Sequence, residues 1–92
     1  METQAQIAAR DLAGAIREFG RENHDPAGWE EVAATWEDIG ARLCLEGDYD
    51  VLVARRLRAV ASLLQREAAS WERAEVEAKL RELLAEIRCS IG

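Results

Sequence analysis

"DPAGWEEVAATWEDIGARL", residues 25–43, is the stretch that decides the fold class. Trp29, Val32, Trp36, Ile39 and Leu43 recur at intervals of 3, 4, 3 and 4, which places them on one stripe of an α-helix and on no face of a strand. Asp25 can accept a backbone N–H as N-cap. Pro26 at the first helical position gives up a donor that would have no partner there. Glu30 and Glu31 follow in the first turns, where the helix dipole favours negative charge. The pattern predicts a helix over 26–46. Beside its apolar seam lie Ala33, Gly40 and Cys44, small residues that would let a second helix approach closely.

Working outward, "AQIAARDLAGAIREF" puts Ala8, Leu12, Ala15, Ile16 and Phe19 on one helical stripe. Gly14 interrupts this stretch at a cost of roughly 1 kcal/mol of helix propensity, and a close helix–helix approach is the expected reason. Downstream, Gly47 is expected to terminate the tryptophan helix, with Asp48 or Asp50 capping the next. That third helix carries Leu52, Val53, Leu57, Val60, Leu64 and Trp71, and its stripe slips phase near residue 70. A turn or kink at 67–72 is expected there, with Ser70 as cap of a fourth helix carrying Val76, Leu80, Leu83 and Ile87. The expected architecture is an all-α bundle of three to four amphipathic helices, about 4–21, 26–46, 49–69 and 71–90, in one domain over 1–92. One long kinked helix is the alternative for the last two.

Composition agrees with that class. Of 92 residues, 49% are hydrophobic and 33% charged, with one proline. Ala, Leu, Glu and Arg dominate, and these residues lose little on entering a helix. No apolar run is long enough for a membrane span. Met1 is followed by polar "ETQAQ", so no secretory leader is expected, and the expected location is the cytoplasm. Cys44 and Cys89 belong to no metal-type cluster, and Cys44 is expected to be a buried small hydrophobe.

The stretch "CLEGDYDVLVARRLR", residues 44–58, raises chemistry that the rest of the chain does not support. Glu46, Asp48 and Asp50 alternate as in the opening of a calcium loop, but the further glycine and terminal acid of such a loop are missing. No metal or cofactor is expected, and helix capping accounts for the two aspartates. Arg55, Arg56 and Arg58 suggest a helix-turn-helix-like unit over 26–66 reaching for duplex DNA. The net charge of −6 opposes it, since an acidic surface repels phosphates. His24, the only histidine, has no nucleophile or orienting partner in sequence and is expected in an exposed turn. No catalytic motif is present and no catalytic residue is assigned.

The expected function is therefore that of a non-catalytic, acidic protein–protein interaction module of the regulator, inhibitor, antitoxin or adaptor type. Its acidic face comprises Glu30, Glu31, Glu37, Asp38, Glu46 and Asp48, suited to the basic surface of a nucleic-acid-handling protein. Trp29, Trp36 and Trp71 are either core or interface aromatics, and homodimerisation is expected. The alternatives are a dimeric DNA-binding regulator using Arg55, Arg56 and Arg58, and an accessory subunit of a larger enzyme.

Overall fold

A computed structural model describes the backbone of residues 2–66 and 71–91 and the side chains of residues 2–66 and 71–88. Within it the chain forms four α-helices: α1 (Gln4–Glu22), α2 (Pro26–Arg42), α3 (Asp48–Arg66) and α4 (Arg73–Ile91). The expected all-α bundle is thus present, and α3 and α4 are separate helices. Ser70 and most of the expected turn at 67–72 lie outside the described residues.

Helix α1 is the hub, packing extensively against both α2 and α3, whereas α4 is held mainly along α3. The reason is side-chain size. Ala5, Ala8, Ala9, Ala13 and Ala15 are buried on α1 together with Leu12, Ile16 and Phe19. Methyl side chains allow helix backbones to approach closely. Gly40 of α2 has no room for a side chain, because a Cβ there would sit 2.5 Å from the Ala9 Cβ. Trp29 and Trp36 lie in the chain's own core, at 2% and 4% exposure, and Trp71 is half-buried. The Phe19 and Trp29 rings meet edge to face with centroids 5.0 Å apart. This geometry sets the positive edge of one ring against the negative face of the other. Helix α4 contributes a narrower stripe, Val76, Leu80, Leu83 and Ile87, to the same core cluster.

The turn from α1 to α2 is a Schellman motif, which returns the chain with two backbone hydrogen bonds. Asp25 N–H donates to Gly20 O (2.9 Å) and His24 N–H to Arg21 O (3.4 Å). His24 occupies the left-handed position at φ 58°, where glycine is usual but histidine is tolerated. It is an exposed turn residue, as expected. Asp25 then caps α2 by accepting the Gly28 N–H (3.3 Å), with Pro26 in the first turn.

Four local expectations need correction. Helix α2 stops at Arg42, four positions before residue 46. Leu43 turns extended (φ −76°, ψ 112°) and buries its side chain in the core, so continuing the helix would pull it out. Cys44 consequently points outward and is an exposed free thiol, not a buried hydrophobe. Gly47 still takes a left-handed conformation (φ 60°), but as the residue before α3 and not as the cap of α2. Gly14 is exposed, and a Cβ added there would meet nothing within 4 Å, so no close helix approach explains it. The close approaches occur at Gly40 and at Gly20, where a Cβ would meet the Trp29 Cβ at 2.5 Å.

Candidate functional site

The connection between α2 and α3 is pinned to the N-terminus of α1 by polar contacts that account for the whole first turn of that helix. An α-helix begins with backbone N–H groups that have no partner within the helix. Here Thr3 Oγ1 accepts the Gln6 N–H (3.2 Å), and Gln6 Oε1 accepts the Thr3 N–H (3.0 Å), a capping box. The two amides between them go to a residue more than forty positions away. Gln4 N–H donates to Asp50 Oδ2 (3.0 Å) and Ala5 N–H to Asp50 Oδ1 (2.8 Å). Asp50 therefore does not cap its own helix, as the sequence suggested. It stands in the first turn of α3 and caps α1. Gln6 Nε2 also donates to Leu43 O (3.0 Å), and Arg58 Nη2 to Gln4 Oε1 (3.0 Å).

This fastening presents a corner to solvent. Tyr49, Val51 and Leu52 are the large hydrophobics left exposed among the described residues, at 60%, 48% and 42%. Glu46 and Asp48 flank Tyr49, are exposed, and make no ion pair among the described residues. A ring and two carboxylates beside a helix start fastened at Asp50 form a contact surface that needs little further ordering.

The remaining acids of the expected face are placed differently. Arg17 of α1 donates through Nε and Nη2 to both carboxylate oxygens of Glu30 (2.7 and 2.8 Å) and through Nη1 to Glu37. Its guanidinium is driven above the ordinary arginine pKa by the hydrogen bond to Glu30 and then that to Glu37. Glu30 is correspondingly held below the usual carboxylate value by its hydrogen bond to Arg17. Asp38 pairs with Arg42 (3.2 Å), and Glu31 is exposed and makes no ion pair among the described residues. The six acids thus do not form one free face. Glu30, Glu37 and Asp38 are engaged by the chain's own arginines, while Glu31, Glu46 and Asp48 are not.

The arginines are also divided. Arg56 Nη1 donates to Glu86 of α4 (2.9 Å), Arg58 reaches Gln4, and Arg55 is exposed without an ion-pair partner among the described residues. Helices α2 and α3 each pack principally on α1 and not on one another, unlike the paired helices of a helix-turn-helix unit. The signal that sequence reading missed is Arg73. It donates through Nε to Glu77 (2.9 Å) and through Nη1 to Asp25 (2.6 Å), and it lies 5.1 Å from the centroid of the Trp29 ring. These contacts raise its pKa, the bond to Glu77 foremost, and they fasten the start of α4 to the α1–α2 turn. Only the i,i+4 relation of Arg73 to Glu77 was visible in the sequence.

Among the described residues no group of His, Cys, Asp and Glu side chains is arranged to hold a metal ion, and no helix is long and apolar enough to cross a membrane. Compared with known protein families, curated proteins and solved structures, the chain matches none of them.

Proposed function

We propose that this protein is a non-catalytic interaction module that regulates a partner protein by docking the acidic corner between α2 and α3 against a basic surface. The observation that carries the reading is the exposure of Tyr49 and Val51 beside Glu46 and Asp48, which make no ion pair among the described residues. Tyrosine supplies a large contact area at low conformational cost and is enriched where interfaces concentrate their binding energy. Carboxylates around it attract arginine- or lysine-bearing partners and speed their approach. The fastening of residues 43, 50 and 58 to α1 supports the same reading, since a pre-formed corner loses little freedom on binding.

The test is affinity capture at low salt from a lysate of the source organism, comparing wild type with a Tyr49→Ala, Asp48→Arg double variant. Basic proteins retained by wild type are expected to be lost with the variant while its helicity stays unchanged. An identical set of captured proteins for both would sink the reading.

A further inference from the structure

Helix α4 is attached to the bundle differently from the other three. Helices α1, α2 and α3 are fastened to one another directly. Arg17 joins α1 to Glu30 and Glu37 of α2, and Asp50 and Arg58 join α3 to the start of α1. None of these bonds runs through α4. Its own packing is mainly along α3 and is sparse beside that of α1 on α2 or on α3. Open grooves flank it on both sides. One of about 390 Å³ lies between Leu83 and the Val60 and Leu63 side chains of α3. Another, of about 280 Å³, lies between Leu80 and Leu84 of α4 and Val32, Trp36 and Ile39 of α2. Val60, Leu63, Val32, Ile39 and Leu84 are only half-buried there.

What seats α4 is its apolar stripe, Val76, Leu80, Leu83 and Ile87, which is buried. Its polar ties add little. Arg73–Asp25 at its start and Arg56–Glu86 near its end join side chains that are each between 40% and 54% exposed, and water screens such pairs. Arg73 also lies over the Trp29 ring, 5.1 Å from its centroid. We propose that α4 is a lid. It leaves the bundle as one unit while α1, α2 and α3 stay docked, and it uncovers an apolar strip of α2 and α3 around Trp36.

The physical reason is what each helix loses on leaving. Detaching α1 strands α2 and α3, which pack principally on it and not on one another. Detaching α4 gives up its apolar stripe and its exposed ion pairs, and it leaves every contact of α1 with α2 and α3 in place. An element with few contacts of its own opens at a lower free energy than the whole domain unfolds. The strip around Trp36 is therefore reached by solvent through α4 opening, without loss of the α1 hub.

The experiment is native-state hydrogen exchange on the full chain, read by NMR at the central amides of each helix across a urea series below the unfolding transition. Amides 80–84 of α4 are expected to exchange at least about 10-fold faster than amides 12–16 of α1, with a shallower dependence on urea. Two substitutions then separate a lid from a uniformly weak bundle. The Arg17 pairs survive in the open form, so Arg17→Gln is expected to speed exchange in α1 roughly 2- to 5-fold and leave α4 unchanged. The Arg73 contacts are lost in the open and in the unfolded form, so Arg73→Gln is expected to speed exchange in both helices by one common factor. Equal exchange rates and urea slopes in α4 and α1, or an Arg17→Gln effect shared by α4, or α4 exchange indifferent to Arg73→Gln, would overturn the inference. None of these outcomes touches Tyr49, so the docking corner is judged separately.

Discussion

Replacing Asp50 by alanine removes one side chain from α3 and leaves α1 with two uncapped amides. The carboxylate accepts from Gln4 N–H at 3.0 Å and Ala5 N–H at 2.8 Å, short enough for charge-assisted bonds. Gln4 is exposed, so water replaces its bond at little cost. Ala5 is fully buried, and its amide lies in a partly buried site, so the loss falls mainly there. Loss of one charged hydrogen bond at such a position costs ~1.5–2 kcal/mol. Removing a negative charge from the positive end of α1 adds ~0.5 kcal/mol. The sum, ~2–2.5 kcal/mol, lowers the melting temperature of a domain this size by roughly 10–15 °C. Asp50→Asn keeps one acceptor oxygen and is expected to lose about half as much. The assay is urea unfolding followed by far-UV circular dichroism and by tryptophan fluorescence, with the slope against denaturant unchanged. A loss within ~0.5 kcal/mol for Asp50→Ala, the range of ordinary surface substitutions, would refute the capping of α1 across the sequence.

Two glycines make opposite predictions from one chemical change. Gly14→Ala places a methyl in open space on an exposed helix and is expected to stabilise by ~0.5–1 kcal/mol. Gly40→Ala drives a methyl to 2.5 Å from the Ala9 Cβ and is expected to destabilise by ~1–3 kcal/mol; thermal melts of both variants decide. The Arg17–Glu30 pair predicts a pH dependence. The folded-state pKa of Glu30 lies below its ordinary 4.5, so the pair contributes fully above that value and is lost as pH falls through the lowered one. The stability gap between wild type and Arg17→Gln is therefore expected to narrow as pH falls below 4.5, and a gap that stays constant counts against the pair.

Strong periodicity was legible in the sequence, and contacts between distant segments were not. The Trp29–Trp36 seam and the Asp25–Pro26 start of α2 emerge as read, because large apolar residues at helical spacing and a capping aspartate before proline act locally. The early end of α2 was hidden because Leu43 continues the stripe in register, yet reaches the core by leaving the helix. The central role of α1 was also hidden. Alanine reads both as a helix former and as a weak hydrophobe, so the buried Ala5, Ala9 and Ala13 gave no sign of how much of α1 is covered by its neighbours. For the candidate site, the acids were identifiable, but not their partners. Arg17 meets Glu30 and Glu37, and Asp50 meets α1, only after the helices dock. The acids of the corner are those left over from that pairing, which no local pattern announces.

The hub position of α1 has a consequence for how the chain is made. Synthesis proceeds at roughly 5–20 residues per second, and helical bundles fold in microseconds to milliseconds. Of the four helices, the one whose surface α2 and α3 share leaves the ribosome first. Each later helix then emerges into the presence of its receptor, α2 across a turn that holds itself and α3 bringing the cap that α1 lacks. Helix α4 is translated after the other three and joins at the periphery. The order of translation is thus the order in which neighbours are required: the α2-facing side of α1 waits for one helix and its α3-facing side for two.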